Sequence, residues 1–329
     1  MPTIDSLPTA LYLAEQVRKI DHTAIHQNDI DGFELMQKAA RFSFHTFIKN
    51  APDVRHVKIL CGSGNNAGDG YIIAALAKRR KYIVEVFYLS DPDNLKGDAQ
   101  AAHQLCLSEG VDCQVYVNGS IAAVKPKTTC ILIDALLGTG LNSSVKGLYK
   151  SAIKEANESP YDILAIDIPS GLSSNTGQAL GTAIIASWTA TFIGLKLGLF
   201  TGAGRAHSGE IYYDSLGVPQ ETIDTQTPVA KMLDLTRLIN SVEPRASDTH
   251  KGQCGHTLII GGDHGFGGAV LMAAEAAVKT GAGLVSVATR AENCSPLLSR
   301  CPEVMAKSIL NDKQLLPLID SADVIVIGP

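Results

Sequence analysis

The stretch CGSGNNAGDGYIIAALAKRR (61–80) decides how the chain is read. It follows the apolar run Val57-Lys58-Ile59-Leu60 and leads into a helical pattern, so strand, glycine turn and helix come in the order of a nucleotide-binding βα unit. Gly62-Ser63-Gly64-Asn65-Asn66-Ala67 matches GxGxxG/A, a fingerprint that works because bare N–H groups and a helix dipole face an anionic pyrophosphate. Asp69 disturbs that reading, since it sets a carboxylate at the helix start, where the phosphate belongs. Asn65 and Asn66 are also unusual there, because each brings a side-chain carbonyl oxygen as well as donors. The stretch settles the kind of fold and leaves the ligand open.

Outward from it the same rhythm continues. The segments 82–89 (YIVEVFYL), 130–138 (CILIDALLG) and 162–171 (DILAIDIPSG) read as strands, with shorter ones near 188–193 and 210–213. Helices alternate with them at 96–110 and 145–159. Continuous apolar strands between helices predict a parallel-rich sheet covered on both faces, a three-layer, Rossmann-like α/β domain. Before the first strand, Leu11, Ala14, Val17, Ile20 and Ala24 share a helical face, and Asp31 with Glu34 in capping-box register announces a second helix. Both are expected to cover the domain and to offer a face for a homo-oligomer. The Pro-, Thr- and Ser-rich text of 217–249 reads as a linker, and a new α/β pattern follows in HTLIIGG (256–262), a helix over 269–283 and the strands LVSVATR and DVIVIGP. The expected domains are 1–222 and 223–329, the second below the usual size, so the chain is read as truncated.

Composition excludes several classes. A formal charge of −5 offers no basic field for nucleic acid or an anionic membrane, and no run has the length of a membrane span. MPTIDSLPTALYLAEQVRKID lacks the shape of a secretory leader, so the protein is expected in the cytoplasm. Seven cysteines without a CxxC pair read as small buried hydrophobes of a reducing compartment, and His250, Lys251, His256 and His264 lack the spacing of a zinc motif.

Ligands of parallel sheets lie outside the carboxyl ends of the strands, and here those ends read NNAGDG, DALLGTG and DIPSG. Asn65, Asn66 and Asp69, then Asp134, then Asp167 and Ser170 bring hard oxygens to one crevice. Amides, a hydroxyl and few carboxylates suit a weakly charged hard cation. Taken singly, Asp134 or Asp167 is as well explained as a cap of a loop or helix.

Together, CGSGNNAGDGYIIAALA, DALLGTGL and AIDIPSGL, with LYLAEQVRKID and KLGLFTG, resemble the NAD(P)HX epimerases over about residues 11–219. HKGQCGHTLIIGGDHGFGGAVLMAAEAAVKTGAGLVSVAT resembles the opening of the ribokinase-like, ADP-dependent NAD(P)H-hydrate dehydratases. The order is that of the bifunctional nicotinamide nucleotide repair enzymes, whose dehydratase half continues into segments that bind ADP (or ATP), so dehydration is not expected of this chain. The resemblance implies hydrated NADH or NADPH as substrate. It places Asn65, Asn66, Ala67, Gly68 and Asp69, with Gly138, Thr139, Gly140, Leu141, Asn142, Ser143 and Ser144, around that nucleotide. It sets Asp167 at the reacting ring, where general acid–base catalysis is expected of it, gives Lys196 to phosphate or ring, although a solvated lysine explains that residue equally well, and has Asn66, Asp134 and Ser170 hold a potassium ion. Ala269 would line the dehydratase half. The glycines of 61–70 would then let the backbone approach the nucleotide. The chain departs from the family at Ala67 and Ala40, where Gly is usual, and at Leu13, where Thr or Ser caps a helix.

Two other readings compete. A NAD(P)-dependent dehydrogenase uses only the GxGxxA match, with Asp91 for the ribose, and leaves Asn65-Asn66 and DIPSG unexplained. A non-catalytic nucleotide-binding or interaction module has no use for Asp167, Asp134 and Asn66 together.

Overall fold

The computed structural model describes residues 7–27, 30–121, 129–240 and 244–328. The chain divides into two compact units, Met1–Leu235 and Thr236–Pro329.

The first unit opens with β1 (Ala10–Tyr12), α1 (Ala14–Gln27) and α2 (Gly32–Asn50). Leu11, expected on the helical face, is a strand residue instead, with Leu195 and Ala230 as its register partners. The cap that Leu13 cannot provide comes from elsewhere: Asn175 Oδ1 accepts the Ala14 N–H at 2.8 Å, and Gln16 Oε1 accepts that of Leu13 at 2.9 Å. A side chain 161 residues away thus satisfies one of the orphan donors of α1. Asp31 caps α2 by accepting the Glu34 N–H at 2.8 Å, while the Glu34 carboxylate goes to Lys38 at 3.0 Å. Val17, Ile20 and Ala24 of α1 and Leu35, Met36, Phe44 and Phe47 of α2 enter the main core. The apolar stripes of both helices are thus turned into the unit they cover.

The strand–helix series then runs β2 (His56–Cys61), α3 (Asn65–Arg79), β3 (Ile83–Tyr88), α4 (Gly97–Ser108), β4 (Cys113–Val115), β5 (Cys130–Ala135), α5 (Gly147–Glu158), β6 (Asp162–Ile166) and β7 (Trp188–Phe192). It continues through β8 (Leu195–Lys196), α6 (Gly204–Ser208), β9 (Glu210–Asp214), α7 (Gln220–Ile223) and β10 (Ala230–Lys231). Seven strands form one parallel sheet in the order β4-β3-β2-β5-β6-β7-β9. Side-chain alternation divides the strands between two cores: Ile59, Ile131 and Ile133 pack with α2, α3 and α4, and Leu60, Leu132 and Ala165 pack with α5. That double burial makes β2 and β5 apolar almost throughout and gives a three-layer, Rossmann-like architecture. A second small sheet, β10-β1-β8, ties the tail of the unit to its start. Because β10 pairs with β1, the first unit extends past residue 222, where the sequence had set the boundary, to Leu235.

The second unit comprises α8 (Leu235–Asn240), which begins on the boundary residue, then β11 (His256–Ile260), α9 (Gly267–Thr280), β12 (Leu284–Thr289), α10 (Ala291–Arg300), β13 (Met305–Ser308), α11 (Asp312–Asp320) and β14 (Val324–Ile327). Its four strands are parallel in the order β13-β12-β11-β14. α10 and β13 escaped the sequence reading, since α10 carries Pro296 inside it and β13 has no buried residue. Of the expected linker, residues 241–243 lie outside the described residues, as does Pro329 at the end of DVIVIGP.

Candidate functional site

The strand order of the first unit reverses between β2 and β5: chain order runs outward to β4 on one side and to β9 on the other. At the carboxyl ends of these strands lies a cavity of about 680 Å³, within the range of ligand pockets. The α3 start, the loop after β5, the ends of β6 and β7, and the inner faces of α1 and α2 wall it.

The four glycines of CGSGNNAGDG divide by what surrounds them. A β-carbon at Gly62 would sit 1.8 Å from the Leu136 carbonyl oxygen, at Gly68 2.7 Å from Met36 Sδ, and at Gly70 2.7 Å from the Ala135 β-carbon. These three let α3 lie close on the sheet and on α2. Only at Gly64 is nothing within 4 Å, and Gly64 lines the cavity. Open space beside the backbone is thus present at one of the four, and the other three answer to packing. Ala67 is fully buried in the main core on the helical backbone of α3, so its β-carbon meets no conformational obstacle. In the facing loop Gly138 and Gly140 border the cavity, Gly140 with nothing within 4 Å of an added β-carbon.

Across the reversal point lies a cluster of oxygens. Asp134, fully buried at the end of β5, accepts the Ser170 hydroxyl at 2.6 Å, the Ser170 N–H at 2.8 Å and the Leu136 N–H at 3.3 Å. Burial pushes its carboxyl up to about 6, against the downward pull of those hydrogen bonds. Ser170 Oγ in turn accepts the Leu137 N–H at 2.8 Å and lies 3.1 Å from the Leu137 carbonyl oxygen, to which Asn66 Nδ2 donates at 3.3 Å. Asn66 Oδ1 is buried without a hydrogen-bond partner. An orphaned amide oxygen beside a carboxylate, a hydroxyl and a carbonyl fits a weakly charged hard cation. These donors gather because Asn66 opens α3 while the other three belong to the strand ends it faces.

The neighbouring strand ends carry the reactive groups. After β6 the chain turns sharply around Asp167, at φ 66°, with the Ile168 N–H bonded back to the Ile166 carbonyl at 2.8 Å. After β7 the same three-residue turn forms around Ile193, at φ 64°, with the Gly194 N–H on the Phe192 carbonyl at 2.6 Å. Left-handed backbone is unfavourable at both residues, more so at the β-branched Ile193, and strain of this kind gathers at functional sites. Lys196, 1% exposed, binds both turns: its Nζ donates to Asp167 Oδ1, to Thr191 Oγ1 at 3.1 Å and to the Phe192 carbonyl at 3.0 Å. It is a bound cation within the wall and not a solvated lysine. Asp69, on the second turn of α3, is 9% exposed, and its Oδ1 has no hydrogen-bond partner. Burial holds its carboxyl well above the usual range, and the Asp167 and Asp21 charges add to this while Lys196 opposes it.

Most residues singled out in the sequence meet in this one cavity: Asn65, Asn66, Asp69, the loop from Gly138 through Thr139, Gly140, Leu141 and Asn142 to Ser143, Asp167 and Lys196 all line it. Ala67 and Gly68 are packed beneath it, and Ser144 is exposed at the loop's far end. Asp91, which a dehydrogenase needs at the ribose, instead caps a short turn by accepting the Asp93 N–H at 3.0 Å. The sequence reading missed Arg18 and Asp21 of α1 and Asp98 of α4, which also line the cavity. The one signal for Arg18 and Asp21 was polarity on the flank of the Val17–Ile20–Ala24 stripe. Burial raises the Asp21 carboxyl first, then the Asp167 charge, with Asp98 adding to it and Lys196 and His22 opposing it.

In the second unit a shallower cavity of about 280 Å³ lies at the corresponding place, bordered by residues after β11, β12 and β14. Gly262, at φ 74°, has its carbonyl held by Asn293 at 2.6 Å and Thr289 at 3.1 Å, and Asp263 pairs with Arg290 at 2.8 Å. Ala269, on α9, is not among the residues lining this cavity.

A parallel sheet with a polar pocket at its reversal point defines a Rossmann-like α/β protein of the ligand-binding class. The family model for the YjeF-related protein N-terminus matches residues 32–198, and the chain belongs to that family. A second family model, NAD(P)H-hydrate dehydratase, matches residues 257–329. The bifunctional NAD(P)H-hydrate repair enzyme Nnr of Escherichia coli (strain K12) is 38% identical over 327 residues, which are 98% of this chain and 62% of that protein. The bifunctional NAD(P)H-hydrate repair enzyme of Leishmania infantum is 36% identical over 329 residues, 97% of this chain and 59% of that protein. The chain thus spans about three fifths of the length of these relatives. The crystal structure of yeast ynu0 shares the fold at a TM-score of 0.57 and 18% identity, covering 67% of this chain and 95% of that one. Among the described residues no helix is long and apolar enough to cross a membrane.

Proposed function

We propose that the first unit interconverts the R and S forms of hydrated NADH and NADPH. The observation that carries the reading is Asp167, turned into the cavity by strained backbone and ion-paired with buried Lys196, in a chain whose relatives are named for NAD(P)H-hydrate repair. In such a substrate the hydroxyl-bearing carbon adjoins the ring nitrogen, whose lone pair expels the hydroxyl once that group is protonated. Water then adds to the resulting iminium on either face. Asp167 accepts the proton of the incoming water, and Lys196 with Thr191 fixes which carboxylate oxygen is free to do so. The loop 138–143 and Gly64 have room against their backbones for the nucleotide. Potassium suits Asn66, Asp134 and Ser170, and would anchor the loop after β5 to the start of α3 while adding little Lewis acidity.

Residues 257–329 match the dehydratase family, so ADP- or ATP-dependent dehydration is proposed as the second activity of the longer proteins of this kind. Seven free cysteines support a reducing, cytoplasmic setting. The deciding measurement is chromatographic: purified R-form hydrated NADPH is supplied with potassium, and appearance of the S form is followed against the uncatalysed rate. Acceleration that Asp167→Asn loses supports the reading, and a wild-type rate equal to the uncatalysed one overturns it.

A further inference from the structure

One group in the cavity has no task in the mechanism as it stands. Asp69 lies more than nine-tenths buried on α3, lines the cavity, and leaves Oδ1 without a hydrogen-bond partner, whereas Asp167 Oδ1 takes Lys196 and Thr191. A buried carboxylate without a partner is costly, and a buried carboxylic acid is much less so. Of the four carboxyl groups that line the pocket, Asp167, paired with a buried cation, and Asp69, with an orphaned buried oxygen, are suited to opposite proton roles.

We propose that Asp69 is the general acid of the R-to-S direction: it protonates the departing hydroxyl while Asp167 serves as the base, and the two exchange roles in the S-to-R direction. The inference rests on the epimerase reading and divides between two residues a task that a single Asp167 would otherwise carry alone. The carboxyl proton of Asp69 passes to the substrate hydroxyl. The carbon–oxygen bond breaks with its electron pair going to oxygen, water leaves, and the ring-nitrogen lone pair closes the iminium. A second water bonds to the same carbon and yields its proton to Asp167. Return of that proton from Asp167 to Asp69 resets the site, so no proton or electron is gained or lost. The reverse direction runs the same steps backwards.

The surroundings support this assignment. The charges that act on Asp69 are those of Asp167 beyond β6, Asp21 from α1 and Lys196 from β8, and Asp21 in turn feels Asp98 of α4 and His22. Arg18 lines the same wall, and α2 contributes only apolar side chains such as Leu35 and Met36. Burial keeps the proton on Asp69, and the Asp167 and Asp21 charges add to this against the opposing pull of Lys196. Its rise above the ordinary Asp range keeps the acid form to higher pH than an exposed Asp would hold it.

The test is the R-to-S assay repeated across pH with wild type and Asp69→Asn, joined to infrared difference spectra of the two proteins at neutral pH. The expected result is a kcat lowered roughly 100-fold or more by Asp69→Asn with KM little changed, and loss of the alkaline limb of the wild-type profile. The wild type should also show a neutral-carboxyl band that Asp69→Asn lacks. An unchanged kcat and profile overturns the assignment, as does a raised KM with intact kcat, which marks a substrate contact. If Asp69→Asn fails to fold, the wild-type spectrum decides, and absence of the neutral-carboxyl band overturns the proposal. Active wild type with active Asp69→Asn rejects the acid role alone, whereas inactive wild type removes the epimerase reading and this inference with it.

Discussion

The two units use the same device to different ends. Each has a parallel sheet whose order reverses beside its first strand, β2 or β11, and each follows that strand with a glycine-rich turn and a helix. In the first unit the reversal point is enclosed by α1, α2 and the loops after β5 and β7, and Asp69 and Lys196 of its wall are buried. In the second, Asp263, His264 and Phe266 stand exposed on the turn, and all four residues of β14 are exposed. Glycine turns are thus a scaffold that both units share. Enclosure, which strengthens every charge interaction and displaces ordinary protonation, is what distinguishes a reactive pocket from a surface cleft.

The hardest test of this contrast is Lys196→Met. It leaves the Asp167 carboxylate without its cation and both strand-end turns without their tie, and should lower stability by about 3 kcal/mol and remove epimerisation, as read by denaturant unfolding and the R-to-S assay. In the second unit, Arg290→Ala breaks an ion pair at the surface, 41% and 67% exposed, and should change neither melting temperature nor epimerisation rate measurably.

Glycine substitutions give a smaller effect. Gly68→Ala sets a β-carbon 2.7 Å from Met36 Sδ and 3.1 Å from the Ala99 α-carbon, and should cost about 1–3 kcal/mol, since Met36 gives way more easily than the α4 backbone. Gly64→Ala, with open space around it, should leave the unfolding midpoint unchanged and raise KM. Equal stability losses would contradict the division of the four glycines.

Potassium gives a subtler comparison. Exchanging potassium for a bulky organic cation should lower the melting temperature of the wild type but not that of Asn66→Ala, which lacks the orphaned oxygen.

The smallest effect is the pH slope of stability. Asp69 holds its proton to higher pH in the folded than in the unfolded chain, where Asp titrates near about 3.9. The folded state therefore binds more protons above that pH, and this contribution to stability is complete below it and is lost as pH rises through the raised folded value. Asp69→Asn should flatten the slope of unfolding free energy over that window.

The sequence made the sheet legible because double burial writes strands as unbroken apolar runs, and it made the oxygen cluster legible because Asn66, Asp134 and Ser170 each sit at a strand end. It hid what depends on contacts between distant segments. Nothing local marks Asn175 as the cap of α1, or β10 as the partner of β1. Lys196 read as well for a solvated lysine as for a buried one, because a lysine beside apolar residues looks alike in both cases. Arg18, Asp21 and Asp98 went unread, since only the fold brings α1 and α4 to the same hollow.

The paired turns at Asp167 and Ile193 also bear on how any variant here must be interpreted. Lys196 joins them, so the two strand ends form one mechanical element with a single positive charge at its centre. Neutralising Asp167 silences a chemical group and also leaves that buried charge without its counterion and loosens a hinge shared by two loops. Loss of activity in Asp167→Ala therefore reports on architecture as much as on chemistry. Asp167→Asn keeps an oxygen for Lys196 to bind, and measured beside its own unfolding curve it separates the two.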